Sequence, residues 1–280
     1  MKTTLGEFAS ALSPEVKEND QLLAAAVVKQ AATLAKTMRA DGLQTEYKTS
    51  FSDVVTAADR AAEEFVVSTL AELRPDDGIL GEEGSAKDSK SGRTWVIDPV
   101  DGTYNFTTSS DYWCSALALI EGEPNNPEAL ILGAVHRTST RQTWVGGPEL
   151  ATKVWVGEVT HEAGTPLSVQ RAPLADTCAA TYLHTSVIGA ASTEERQATK
   201  SWLDASSRCA TWRMLGSASV DMASVAEGRL GVWFQRDVAP WDWLPGKALT
   251  MGAGGRCESV GRWKIAGSPA AVAELVEILG

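Results

Sequence analysis

The chain reads as α+β over its first half and as alternating α/β over its second. Three features predict this. Residues 18–39 carry a helical apolar stripe, strand-like segments crowd residues 94–159, and strands alternate with helices from about Leu174. The change of character near residue 160 divides the chain into 1–160 and 161–280, expected to be two packed parts of one unit.

In the first stripe Leu22, Leu23, Ala26, Val27, Ala31 and Leu34 recur at helical spacing. Asp53-Val54-Val55-Thr56 is extended and leads into a second helix. Thr56 suits its N-cap, with Asp59 three residues on, and Phe65, Val66, Leu70 and Leu73 supply its apolar face. Pro75-Asp76-Asp77-Gly78 is a turn, and residues 86–93, rich in Ser and Lys, are expected to form a mobile surface loop. Strands follow at 94–97, 114–120, 130–135, 142–145 and 154–159. Beyond them, 179–183, 209–213 and 230–234 read as strands, and 194–205, 217–227 and 269–279 as helices. Ser217 is placed to cap one helix, Gly228 to end it, and Pro269 to open the last.

A chain of 280 residues buries a large core, and 44% hydrophobic with 22% charged residues is ordinary for a globular protein. The net charge of −11 argues against nucleic acid and anionic membranes as partners. No apolar run approaches the roughly 18 residues of a membrane span, and residues 1–20 do not resemble a signal peptide, so a cytoplasmic location is expected. The four cysteines are widely spaced and the three histidines lie apart, which fits free thiols and speaks against zinc.

The acids carry the chemistry. Asp98 and Asp101 follow the apolar run Trp95-Val96-Ile97, Glu82 and Glu83 follow Gly78-Ile79-Leu80-Gly81, and Asp242 lies between two tryptophans. A desolvated carboxylate is costly unless a cation compensates it, and these segments carry no excess of Lys or Arg. Carboxylates with a carbonyl suit a hard divalent ion, so the pattern points to magnesium. In Asp98-Pro99-Val100-Asp101 the proline stiffens a turn that aims both acids and the Val100 carbonyl at one point. Gly102 lets backbone approach a phosphate, and its neighbouring N–H groups offer donors.

Four motifs in order resemble the inositol monophosphatase family of magnesium-dependent, lithium-sensitive phosphatases. They are Asp53-x-Val55-Thr56-x-x-Asp59, Gly81-Glu82-Glu83, Asp98-Pro99-Val100-Asp101-Gly102-Thr103, and Trp241-Asp242 followed after eleven residues by Gly254-Gly255. The resemblance runs from about residue 20 to the C-terminus and implies the layered α-β-α-β-α sandwich of the sugar phosphatases. It makes Glu82, Asp98 and the Val100 carbonyl ligands of a first Mg2+. Asp98, Asp101 and Asp242 would hold a second, with Glu82 and Asp59 near a third. Thr103 with Glu82 would orient and deprotonate the attacking water. Glu83 is expected beside the site or in solvent, because adjacent acids on an extended segment point opposite ways. Lys48 matches a family lysine five residues before Asp53. Trp241 and Trp243 are expected to wall the site.

The implied reaction is hydrolysis of a phosphate monoester by in-line attack of water, without a phospho-enzyme. The sequence lacks the Cys-x5-Arg, Asp-x-Asp-x-Thr/Val and Gly-x-Ser-x-Gly patterns of other hydrolases. For the polyol the resemblance points to Gly216-Ser217-Ala218 and to the position seven residues before Asp242. There the family's Glu is replaced by Gln235. Further departures are Asn105 to Tyr112 and Trp243-Leu244-Pro245-Gly246. Substrate contacts are thus expected from Asp101, Gly102, Thr103, Ser217, Ala218, Gln235 and Asp242. Inositol 1-phosphate is the first candidate substrate, histidinol phosphate the second, and a non-catalytic regulatory protein on this fold the third reading. Relatives commonly form homodimers, which is carried over as an expectation.

Overall fold

Five layers follow from how the strands divide their side chains between two faces. The computed structural model describes residues 5–42, 45–47, 54–160 and 164–280. The chain opens with α1 (Leu5–Ala11), α2 (Pro14–Glu18) and α3 (Asp20–Asp41), then β1 (Thr45–Tyr47), β2 (Val54–Thr56) and α4 (Ala57–Leu73). The Asn19 side chain caps α3 by accepting from the N–H groups of Gln21 and Leu22. Next come β3 (Gly78–Gly81), β4 (Ala86–Lys87), β5 (Arg93–Asp101), α5 (Thr103–Thr107), β6 (Cys114–Glu123), β7 (Asn126–Arg137), β8 (Gln142–Gly147), β9 (Leu150–Val156) and β10 (Thr165–Pro166). These last strands form one eight-stranded sheet in the order β10-β9-β8-β7-β6-β5-β3-β4, antiparallel except where β3 meets β5.

The second half contributes β11 (Cys178–Tyr182), α6 (Thr185–Ile188), α7 (Thr193–Ser207), β12 (Thr211–Arg213), α8 (Ala218–Ala226), β13 (Val232–Arg236), α9 (Pro240–Gly252), β14 (Arg256–Val260), β15 (Trp263–Gly267) and α10 (Pro269–Leu279). Its five-stranded sheet runs β12-β11-β13-β15-β14 and mixes parallel and antiparallel pairs.

Period-two alternation then builds the layers. Trp95 and Ile97 of β5, with Leu117 and Leu119 of β6, pack against α3 and α4. Val96, Ala116 and Ala118 point the other way, onto α8 and α9 and the inner face of the five-stranded sheet. The outer face of that sheet, through Val232, Phe234 and Ile265, is covered by α7 and α10. The order is helix, sheet, helix, sheet, helix, as expected.

Several expectations are corrected. Residues 86–93 are not a loose loop: β4 pairs with β3, the N–H groups of Lys90 and Ser91 donate to the Asp76 carbonyl, and Ser91 Oγ donates to Asp77. The division at 160 falls too early, because β10 still pairs with β9 in the first sheet. Ser217 occupies the N-cap position of α8 without a side-chain cap bond. Trp243 does not wall a site; it is buried and stacks on Trp233 at 5.7 Å, while Trp241 packs beside the same core.

Candidate active site

The main cleft opens where β5, α5, α8, β13 and α9 meet, with a volume of about 440 Å³. The decisive local feature is a bulge in β5. Asp98 pairs with Ala116 and Asp101 with Cys114, so β5 spends three steps where β6 spends two. Residues three apart on a regular strand face opposite sides; the extra residue turns Asp98 and Asp101 toward the same one. Pro99 occupies this irregular stretch, where its missing N–H leaves no gap in the ladder, and its carbonyl accepts from Ser115 Oγ at 2.5 Å.

Asp242 arrives from the first turn of α9, where an acid complements the helix dipole. Asp98, Asp101 and Asp242 each offer an oxygen, all within 4.8 Å of one another. Glu82 lines the same cleft from the turn after β3 and hydrogen-bonds to Asp98. Asp101 joins the two halves of the molecule: its Oδ1 accepts from the Ala218 N–H at 3.1 Å and its Oδ2 from the Ser219 N–H at 2.5 Å. It thereby supplies the α8 cap that Ser217 does not.

No Lys or Arg is among the described residues that line the cleft, and the acids respond. Burial, and then the Glu82, Asp101 and Asp242 charges, push Asp98 well above the usual carboxylate range. Burial and Asp101 push Asp242 up to about 7. Burial also raises Asp101, against the opposing hydrogen bonds from Ser219, Ser217 and Ala218. Carboxylates whose pKa values are raised by burial and by one another mark a place that a cation would stabilise. The donor set, carboxylate oxygens with the Val100 carbonyl on the cleft wall, suits a hard divalent metal.

Asp59 is set back from the cleft. It is fully buried and forms a capping box: Oδ2 accepts from the Thr56 N–H at 3.0 Å and from the Thr56 hydroxyl. Its Oδ1 lies 3.1 Å from Thr103 Oγ1, which also lies 3.0 Å from the Val100 carbonyl. Burial pushes Asp59 up to about 6. Asp59 therefore reaches the cleft through Thr103. Gly102 has φ 96°, which strains any other residue, and a Cβ there would also crowd the Gly216 carbonyl oxygen at 3.0 Å. Ser217, Ala218 and Gln235 line the cleft as expected, whereas Glu83 is not among its lining residues. Lys48 and Asp53 lie outside the described residues.

The inositol monophosphatase family model matches residues 17–265. The chain belongs to that family. Membership makes it a phosphatase-type enzyme whose relatives act on phosphate monoesters. It is 30% identical over 210 residues to a fructose-1,6-bisphosphatase/inositol-1-monophosphatase of Thermotoga maritima, covering 75% of this chain and 73% of the relative. It is 28% identical over 248 residues to a histidinol-phosphatase of Mycobacterium tuberculosis, covering 88% and 89%. Among solved structures, Mycobacterium tuberculosis SuhB superposes with a TM-score of 0.74 at 25% identity, covering 92% of this chain and 94% of that one. No helix among the described residues is long and apolar enough to cross a membrane.

Three residues lining the cleft or lying behind it carry roles that the sequence did not assign. Asn105 Nδ2 donates to the carbonyls of Tyr112 and Leu215 at 2.9 and 2.7 Å, binding α5 to the loop before α8. Asp221 lines the cleft, accepts from the Tyr112 hydroxyl at 2.6 Å, and is pushed up to about 8, chiefly by burial. A single acid in the apolar helix Ser219-Val220-Asp221-Met222-Ala223 was the signal available. The third is Glu63, buried on α4 four residues after Asp59.

Proposed function

We propose that this enzyme hydrolyses a phosphate monoester with magnesium and that inositol 1-phosphate is its substrate. The observation that carries the reading is the convergence of Asp98, Asp101 and Asp242 within 4.8 Å. Glu82, Asp98, the Val100 carbonyl, Asp101 and Asp242 would hold two to three Mg2+ ions, with Asp59 contributing through Thr103. When bound, magnesium activates water and neutralises charge on the phosphate and the leaving oxygen. The chain's own groups do the rest. Thr103 directs its hydroxyl proton toward Asp59 and the Val100 carbonyl, leaving a lone pair for a proton of the attacking water. Gly102 lets the phosphate approach backbone, and Gln235 faces the leaving group as a neutral donor and acceptor.

Histidinol phosphate is the second reading, favoured by the Mycobacterium tuberculosis relative of that name. Against it, the cleft offers its amine little added charge: Gln235 is neutral, and Asp221, at about 8, is largely protonated near pH 7. Phosphate release from both esters, with and without magnesium, decides between them. Equal or greater kcat/KM for histidinol phosphate would reverse the order, and no release from either would leave a non-catalytic role. Inhibition by millimolar lithium and a homodimeric assembly are part of the same proposal.

A further inference from the structure

α4 carries a second buried acid whose oxygens never reach the cleft. Glu63 is 1% exposed, and its carboxylate lies under the turn that bears Glu82. Oε2 accepts from the Glu83 N–H at 2.8 Å and Oε1 from the Ser85 N–H at 3.0 Å. The turn sits directly on this carboxylate: a Cβ added at Gly81 would come within 2.4 Å of Glu63 Cδ. The turn has its own closures, Gly81 N–H to the Ser85 carbonyl at 2.7 Å and Glu82 N–H to the Ile97 carbonyl at 3.2 Å. Those bonds tie it to itself and to β5. Glu63 adds a tie from the turn to α4 through two backbone amides.

Asp59 stands one helical turn earlier on the same face of α4, about 6 Å along the axis. One acid reaches the Thr103 hydroxyl, and the other grips the peptide N–H that follows Glu82 and the Ser85 N–H at the far end of the same turn. A rigid helix thus spans the two groups that the proposed reaction needs at a fixed separation. We infer that Glu63 is a positioning residue that holds Glu82 in metal-binding register with Thr103, with α4 as the spacer. This rests on the reading of Glu82 as a metal ligand given above.

A carboxylate suits the position because it accepts at both oxygens. Glu63→Gln keeps the shape but sets an amide NH2 against one of the two backbone N–H groups, so the turn must shift. Gly81→Ala attacks the same contact from the other side, since its Cβ needs the space the carboxylate fills.

The test is calorimetric titration of the metal-free, full-length protein with Mn2+ as a magnesium surrogate, without substrate. Glu82→Gln runs in parallel, and Glu64→Gln, on the exposed side of α4, serves as control. Glu63→Gln and Gly81→Ala are expected to weaken Mn2+ binding about tenfold, the scale on which groups behind a ligand act. Both variants disturb buried contacts, so a lowered melting temperature is expected of them, while substrate KM at saturating metal should be unchanged. Wild-type Mn2+ affinity in Glu63→Gln, beside weakened binding in Glu82→Gln, overturns the inference and leaves the parent reading intact. Wild-type affinity in Glu82→Gln removes the parent reading and the inference with it. Should Glu63→Gln fail to fold, Gly81→Ala decides by the same criteria.

Discussion

The two ends of the cleft are built on different principles. At the acid end three carboxylates are committed: Asp98 accepts from the Val100 N–H at 3.1 Å, Asp101 from two amides of α8, and Asp59 from Thr56 and Thr103. At the far end Gln235, a neutral amide, lines the wall with Tyr182 and Met214. Committed groups keep their geometry without a ligand, while uncommitted ones adapt to it. Under the proposed function, reaction chemistry would fall to the first region and choice of leaving group to the second.

The largest test of this division removes a charge at the committed end. Asp98→Asn and Asp242→Asn should each cut phosphate release at saturating magnesium by more than about a hundredfold, exceeding what supporting groups behind a ligand are worth. The fold should persist, because fewer like charges then converge. Near-normal turnover in either variant would dissolve the proposed metal site.

Thr103 comes next. Thr103→Val should lose about a hundredfold or more in kcat, the scale of a positioned proton acceptor, while Thr103→Ser retains most activity. A valine variant as active as the serine one would show that the hydroxyl takes no part.

The committed end should also reveal itself through pH. Asp59, Asp242 and Asp221 lie at about 6, 7 and 8, above the ordinary value of about 3.9 in an unfolded chain. The folded state therefore holds these protons more tightly than the unfolded state does. Their contribution is full below about pH 4 and is lost as pH rises through 6 to 8. Thermal melting of metal-free protein should fall from pH 5 to pH 8, and saturating magnesium should flatten the slope. A metal-free melting temperature that climbs across this range would contradict the burial of uncompensated acids.

The smallest effect belongs to the adaptable end. Gln235→Glu should shift kcat/KM for inositol 1-phosphate modestly, since a hydrogen bond to a charged partner is worth about 1.5–3 kcal/mol against 0.5–1.5 for a neutral one. The same change should favour a cationic substrate such as histidinol phosphate. If neither value moves beyond about twofold, less than 0.5 kcal/mol, Gln235 does not face the substrate.

This contrast also explains what was legible in the sequence. The acid end could be read because its groups cluster in short covalent segments: Asp98 to Thr103 is one bulged strand end and the turn that follows. The Thr56 cap and its Asp59 partner are equally local, and the capping box forms as expected. Features made by distant segments were not legible. The cap of α8 comes from Asp101, more than a hundred residues earlier, so Ser217 attracted an assignment that belonged elsewhere. Helix α9 was hidden by Pro245 and Gly246, which normally end a helix. The helix nonetheless continues through Pro245 to Gly252 and packs closely on β7, where a Cβ at Gly133 would meet the Pro245 carbonyl oxygen at 2.3 Å. Trp241 and Trp243 flank Asp242 in sequence, but helical geometry rotates successive residues by about 100°, which carries Trp243 into the core.

The double tie of Asp101 to α8 has a kinetic consequence. Two backbone amides hold this carboxylate in place whether or not an ion has arrived, and they belong to the helix that fills the space between the two sheets. Stripping the metal should therefore leave no large search for the chain to repeat when the metal returns. After chelation, recovery should follow the arrival and dehydration of the ion, a step whose speed depends on its concentration and chemistry rather than on refolding.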